Sequence, residues 1–252
     1  MRSTSETGYA KDVGNFAILT QFCIDCGQVY NPSNPAISLA SLTALQTEAE
    51  ARLEKVRTAL NAWNLTIDER DAAFTGLRPL SIRIINALSA SGAPLAVIDD
   101  AKSYHRKLMG RRASPRKQGE APADPAQETT GETTSEPQPE IRTRSSSQLS
   151  FDNRIENFSK LVDLLSSLPV YSPNEADLTV NGLTTTLNTL RTTNANVIKA
   201  ASALGKARID RDEIVYNAGT GLVATAGNVK KYIKSVFGNQ SPQFRQISNL
   251  KF

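Results

Sequence analysis

The chain has 252 residues, of which 39% are apolar and only 6% aromatic. This composition allows a sizeable buried core but lacks the Val, Ile and aromatic content that a β-sandwich needs. Its formal net charge of +4 is small, and no window of about 18 apolar residues exists, which excludes a membrane-spanning helix. We therefore expect an all-α protein.

The N-terminus, "MRSTSETGYAKDVGNF", has no apolar run behind Arg2 and so lacks the core of a secretory signal. The two cysteines of the chain, Cys23 and Cys26, are too close together to cross-link distant parts of it. Both features favour the cytoplasm, and we expect no bound cofactor.

The first predicted helix covers residues 8–27 and contains the stretch "FCIDCG". Its apolar residues follow the three-four spacing of one helix face, which includes both cysteines: Val13, Phe16, Leu19, Cys23 and Cys26. A zinc site needs two further ligands, and a thioredoxin-like motif needs a βαβ context that is missing here. We interpret the cysteines as core residues, with a redox or metal role as the alternative.

A long helix follows, because apolar residues from Leu42 to Phe74 alternate in steps of four and three, as in a coiled coil. Its seam includes Arg70, which we interpret as a residue that fixes helix register. We expect an acid on the first or third helix to hold its guanidinium, or the guanidinium to reach solvent. A charged pocket within the bundle is the alternative. A third helix is predicted in two pieces, 77–90 and 95–109, broken at Gly92-Ala93-Pro94.

Residues 113–149 are rich in Pro, Gly, Ser, Thr and Glu and carry almost no large apolar side chain. Burial cannot offset the entropy of ordering such a segment. We predict a disordered linker here.

The second half of the chain repeats the first. "NFAILTQFCIDCGQVYNPSN" from Asn15 aligns with "NFSKLVDLLSSLPVYSPNE" from Asn157, with one gap before the shared Val-Tyr-x-Pro. The repeat predicts helices over 151–168 and 220–237 and a seam from Leu183 to Val215 that includes Ala201, Arg208 and Arg211. Arg211 occupies the same seam position as Arg70, and we interpret it in the same way. We predict an internal duplication: one elongated three-helix bundle over 1–112 and another, with a C-terminal tail, over 150–252.

Both halves end in a basic helix. Eight cations there are candidates for contact with an anionic partner such as a nucleic acid: Lys102, Arg106, Lys107, Arg111, Arg112, Lys230, Lys231 and Lys234. Solvated charges that complement the helix dipole are the alternative. His105, which lies among these cations, has no nameable catalytic partner, and we interpret it as a part-buried helical residue.

The tail "SPQFRQISNLKF" carries four regularly spaced apolar residues: Phe244, Ile247, Leu250 and Phe252. It is a candidate docking peptide for a neighbouring molecule, or it packs on its own bundle.

The opening "MRSTSETGYAKDVGNF" and the closing "KKYIKSVFG", followed by "SPQFRQ", resemble a group of uncharacterised bacterial helical proteins with the same two-part layout. The resemblance implies a bacterial, non-secreted protein and brings no catalytic residue. We expect a non-enzymatic structural or scaffolding protein that self-associates or binds a protein partner, with nucleic-acid association as the alternative.

Overall fold

A computed structural model describes residues 4–110 and 150–252 of the chain, with side chains from residue 8 onward. The described residues form α-helices and two short 3-10 turns, Gly27–Val29 and Pro35–Ile37, and contain no strand, which confirms the all-α prediction. The α-helices are α1 (Thr4–Asp25), α2 (Leu39–Thr75), α3 (Leu77–Ala90), α4 (Leu95–Leu108), α5 (Phe151–Ser166), α6 (Val180–Tyr216), α7 (Leu222–Phe237) and α8 (Pro242–Ser248).

The two longest helices, α2 and α6, have 37 residues each, which corresponds to about 55 Å. Each begins with a hydroxyl cap: the Ser38 hydroxyl accepts the N–H of Ser41 at 3.3 Å, and the Thr179 hydroxyl accepts that of Gly182 at 3.1 Å. A cap of this kind satisfies one of the free N–H groups of the first turn and sets where the helix begins.

The described helices separate into two compact units. Unit 1 comprises the described residues within Met1–Glu69 and Ala195–Phe252, and unit 2 comprises those within Arg70–Asn194. Each unit thus draws on both halves of the sequence, because α2 and α6 each contribute residues to both. These units do not coincide with the expected bundles over 1–112 and 150–252, and the expected linker lies outside the described residues.

Unit 2 buries an apolar core between α3, α4, α5 and the beginning of α6. Its fully buried side chains include Ile84, Leu88, Phe158, Leu161, Leu165, Leu183 and Leu190. The helices from the first half therefore share one core with those from the second.

Unit 1 has a core of its own, to which α1, α2, α7 and α8 contribute. Its fully buried side chains include Phe16, Leu19, Cys23, Leu42, Ala49, Leu222, Val229, Ile233 and Ile247. A smaller cluster forms where α2 passes α6, with Val56, Leu204 and Ala207 buried against Trp63. On this stretch Ala207 is buried while the expected seam residues Ala201 and Arg208 are exposed, because an α-helix drifts away from a strict seven-residue repeat.

A tyrosine holds the corner after α1 and another holds the corner after α5. The Tyr30 hydroxyl donates to the carbonyl of Ile37 at 2.7 Å, and the Tyr171 hydroxyl donates to that of Leu178 at 2.9 Å. Both tyrosines are buried and belong to the Val-Tyr-x-Pro stretches. Since a buried hydroxyl and a buried carbonyl satisfy each other, each bond fixes the chain direction into the following long helix.

Candidate functional site

The cysteines lie in the core of unit 1. Cys23 is fully buried on the inward face of α1, and Cys26 is partly buried just beyond the end of this helix; both thiols are free. Burial raises the pKa of Cys23 to about 12 and also raises that of Cys26. Because the thiolate is the nucleophile and the metal ligand, both thiols are protonated near neutral pH and act as small apolar side chains.

Arg211 is buried on α6, and its guanidinium contacts both an aromatic ring and a carboxylate. Its guanidinium carbon lies 3.5 Å from the ring centroid of Tyr9 on α1, and its Nε and Nη2 donate to Asp212 at 3.1 and 2.9 Å. A cation over an aromatic face is favourable, the more so when water is excluded. We expected an acid from another helix to hold this arginine. Instead, Asp212 of the same helix and the Tyr9 ring of α1 contact it.

Arg70 has a matching environment in unit 2. Its guanidinium carbon lies 3.7 Å from the ring centroid of Phe151, and its Nε lies 3.7 Å from the Asp71 carboxylate. The Phe151 ring packs edge-on against Phe74 at 4.9 Å. Each seam arginine thus stacks on an aromatic ring from the opposite half of the sequence. The acid beside Arg70, which was expected on another helix, is again the next residue of the same helix.

A buried carboxylate in unit 1, absent from the candidates chosen from sequence, adds to this arrangement. Asp12 is 7% exposed and accepts a 2.6 Å hydrogen bond from the Tyr216 hydroxyl. Burial, followed by this hydrogen bond, raises the pKa of Tyr216. The adjoining cavity, lined in part by Tyr9 and Arg211, measures about 210 Å³ and is smaller than the roughly 300 Å³ of a typical ligand pocket.

His105 lies in unit 2, with its Nδ1 3.0 Å from the Ser81 hydroxyl. Ser81 is fully buried, and its hydroxyl donates to the carbonyl of Arg78 at 2.8 Å. A substrate cannot reach a serine in this position, so the His–Ser contact holds α4 on α3.

The cations of α4 contact their own helix. Lys102 pairs with Asp99 at 3.3 Å, Arg106 donates to the Ser103 hydroxyl at 3.4 Å, and the Lys107 ammonium lies 5.7 Å from the ring centroid of Tyr104. The Lys102–Asp99 pair is exposed and therefore weak, and the residues of the other two contacts are partly buried. Arg111 and Arg112 lie outside the described residues.

Two cations of α7 contact the C-terminal tail. The Lys230 ammonium donates to the carbonyl of Leu250 and lies 5.0 Å from the ring centroid of Phe252. The Lys234 ammonium lies 5.8 Å from the ring centroid of Phe244. Burial lowers the pKa of Lys230. Lys231 is exposed.

The tail packs on unit 1. Ser241 caps α8 by accepting the N–H of Phe244 at 3.1 Å, and Ile247 is 1% exposed within the unit 1 core. The other three apolar tail residues are partly buried against the same core. Asn15 on α1 donates to the carbonyl of Lys251 at 2.6 Å. Of the two alternatives for the tail, the structure adopts packing on its own chain.

Two helix faces of unit 1 expose apolar side chains. The first, which we name the α6 stripe, consists of Ala195, Ile198, Ser202, Gly205 and Ile209, at steps of three and four along α6. Ile198 is 63% exposed and Ile209 is 70% exposed. The cations Lys199, Lys206 and Arg208 flank the stripe and are exposed. The sequence pattern of the stripe is readable as a second seam on α6, but it was not singled out as a candidate.

The second face is a shallow groove of about 830 Å³ between the end of α1 and α2. We name it the α2 groove; it is lined by Ile24, Leu39, Ala40, Thr43, Ala44, Thr47, Glu48 and Ala51. The hydroxyls of Thr43 and Thr47 donate back to the helix carbonyls of Leu39 and Thr43, at 2.9 Å each. Because these hydroxyls are satisfied, the threonines add little free polar capacity to the groove.

Within residues 4–110 and 150–252, no three His, Cys, Asp or Glu side chains come together as metal ligands would. No described helix is long and apolar enough to cross a membrane. No protein-family model, curated protein or solved structure matches the chain.

Proposed function

We propose that this protein is a non-enzymatic structural or scaffolding protein of the bacterial cytoplasm, which acts by self-association or by binding a protein partner through its helical surfaces. The observation that carries the proposal is the exposure of two apolar helix faces on unit 1, the α6 stripe and the α2 groove. Contiguous apolar patches on a surface are typical of interaction sites, and in the α2 groove Ile24, Leu39 and three alanines lie side by side. Since the tail packs on its own unit, these helix faces are the better candidates for contact.

The surroundings of Cys23 and His105 support a non-enzymatic role. Burial raises the pKa of the Cys23 thiol to about 12, so its thiolate is scarce near neutral pH. His105 contacts a serine that has no solvent exposure. The thiol is thus not available as a nucleophile, and the serine that His105 contacts is closed to a substrate.

We also propose that the chain arose by internal duplication. Support comes from three pairs of related contacts, which residues at matching positions of the two halves make. These are the hydroxyl caps of α2 and α6, the hydrogen bonds of Tyr30 and Tyr171 to the carbonyl seven residues later, and the stacking of Arg70 and Arg211 on an aromatic ring.

Nucleic-acid binding through the basic helix ends is the alternative. Lys230 contributes little to it, because its ammonium is partly buried and bonded to a tail carbonyl. Lys102 pairs with an acid of its own helix.

Purification of the native protein at low and high salt, followed by size-exclusion chromatography with light scattering, tests the proposal. We expect a mass above 27.3 kDa with a protein-like ratio of absorbance at 260 and 280 nm. A chain truncated after Gly238 loses α8 and the core residue Ile247 and should be less stable. It should still associate at a temperature where it stays folded, because the tail is not the contact surface. A 260 nm excess that disappears at high salt would instead favour the nucleic-acid alternative.

A further inference from the structure

The α6 stripe has the shape of a short helical ridge. Ile198 and Ile209 lie on the same side of α6, eleven residues apart, with the small residues Ser202 and Gly205 between them. A Cβ added at Gly205 would meet nothing within 4 Å. The space above the middle of the stripe is therefore open, and another helix can approach the backbone closely there.

The α2 groove has matching dimensions and chemistry. From Ala40 to Ala51 it follows α2 for about 17 Å, and the α6 stripe is about 21 Å long at the same rise per residue. Small side chains such as Ala44 line it, and Ile24 forms one wall. Two isoleucines separated by small residues can therefore pack on this open, shallow face, which is itself lined mostly by small residues.

The charges around the two faces are opposite. Between Asp177 and Asp210 the sequence has no acid, and the α6 stripe is flanked by Lys199, Lys206 and Arg208. None of these three cations pairs with a described carboxylate. Opposed charge at the rim of an apolar contact gives a docking surface its orientation and excludes wrong partners.

The region around the α2 groove carries negative charge. Between Lys11 and Arg52 the sequence has no Lys or Arg, whereas Asp25, Glu48 and Glu50 lie beside the groove or next to its lining residues. Asp25 and Glu50 accept hydrogen bonds from neutral glutamines, at 2.7 and 3.0 Å. No described cation pairs with Asp25 or Glu50, whereas Glu48 pairs with Arg52 at 2.9 Å. The uncompensated negative charge beside the groove therefore belongs to Asp25 and Glu50.

We propose that the α6 stripe of one copy docks in the α2 groove of a second copy. This inference rests on the proposed function and names the partner as the same chain. The contact is heterologous, because it joins two different faces, so every added copy presents a further free stripe and a further free groove. Such contacts build rings or open filaments.

Complementary variants test the proposal with the full chain. Ile198→Asp places a charge on the α6 stripe and leaves the groove intact, whereas Ala44→Arg fills the groove and leaves the stripe intact. Leu95→Asp is the control, since Leu95 is 79% exposed and lies in unit 2. Circular dichroism checks that all variants keep their helicity, and sedimentation velocity measures their association.

We expect the unchanged chain to associate increasingly with concentration, more weakly at high salt because salt screens the rim charges. Each variant alone should remain a monomer, Leu95→Asp should associate like the unchanged chain, and an equimolar mixture of Ile198→Asp and Ala44→Arg should form a two-chain complex and nothing larger. The proposal is overturned if both variants associate normally or if the mixture stays monomeric; self-association itself then still stands. If the unchanged chain is monomeric at every concentration, the proposal and the self-association arm of the proposed function fail together.

Discussion

The guanidinium of Arg211, a residue of the second half of the sequence, lies 3.5 Å from the ring centroid of Tyr9, a residue of the first half. The contact is buried, and Asp212 balances the charge. It ties α6 to α1 within unit 1.

Replacing Arg211 with alanine should therefore destabilise the protein. The expected loss is about 2 kcal/mol of the free energy of unfolding, the magnitude of a desolvated cation–aromatic contact. Arg208→Ala, at an exposed position of the same helix, is the control and should change stability by less than about 0.5 kcal/mol. Urea denaturation followed by circular dichroism measures both, and equal losses would argue against the contact.

The corner tyrosines give a second prediction. Tyr30→Phe and Tyr171→Phe each remove a buried hydroxyl and leave a carbonyl without its partner. Each should cost about 1–3 kcal/mol of the free energy of unfolding. Tyr104→Phe serves as the comparison, and a neutral result for both corner variants would contradict the role of these bonds.

Two glycines of α6 should respond in opposite directions to alanine. At Gly205 a Cβ meets nothing within 4 Å. Gly205→Ala should therefore raise stability by about 0.5–1 kcal/mol, because alanine lowers the backbone entropy of the unfolded chain. At Gly182 a Cβ would lie 2.2 Å from the backbone oxygen of Ala176, so Gly182→Ala should lower the melting temperature. Thermal denaturation of the two variants distinguishes these effects, and melting temperatures that shift in the same direction would contradict this packing.

Stability should fall at alkaline pH because of Cys23. Burial raises its pKa from 9.0 in the unfolded chain to about 12. A group with a raised pKa stabilises the fold fully below pH 9, and this stabilisation is lost as the pH rises toward 12, by up to about 1.4 kcal/mol for each pH unit. Chemical denaturation of Cys23→Ala should show a shallower loss between pH 9 and pH 10 than the unchanged chain. Identical pH profiles would mean that the thiol is not buried as described.

A cut between the halves tests how the units are built. The core of each unit contains residues from both halves, so cleavage at a protease site inserted among residues 113–149 should leave the two fragments together. Size-exclusion chromatography should show one peak that contains both fragments, and the fragments should separate only in denaturant. Separation in native buffer would favour two independent bundles.

Local structure was largely predictable from the sequence. The α3 boundaries match the predicted 77–90, since Gly76 and the Gly92-Ala93-Pro94 break mark its ends. The burial of Cys23 also followed from the spacing of its apolar neighbours along α1. Such features depend on residues a few positions apart, where helix periodicity is informative.

The pairing of helices was not predictable in the same way. The two halves carry similar apolar faces. The spacing of apolar residues on α1 therefore fits a partner helix in its own half as well as it fits α6. The attachment of the tail through Lys230 and Asn15 likewise depends on contacts between residues distant in sequence. The α6 stripe was missed because Ile198 and Ile209 lie outside the seam that the spacing of buried residues suggests.

Sedimentation equilibrium of the purified recombinant chain, over a wide range of concentrations at low salt, tests self-association most directly. We predict an average mass that rises above the 27.3 kDa of one chain as the concentration increases. A mass that stays at 27.3 kDa over the whole range would contradict it.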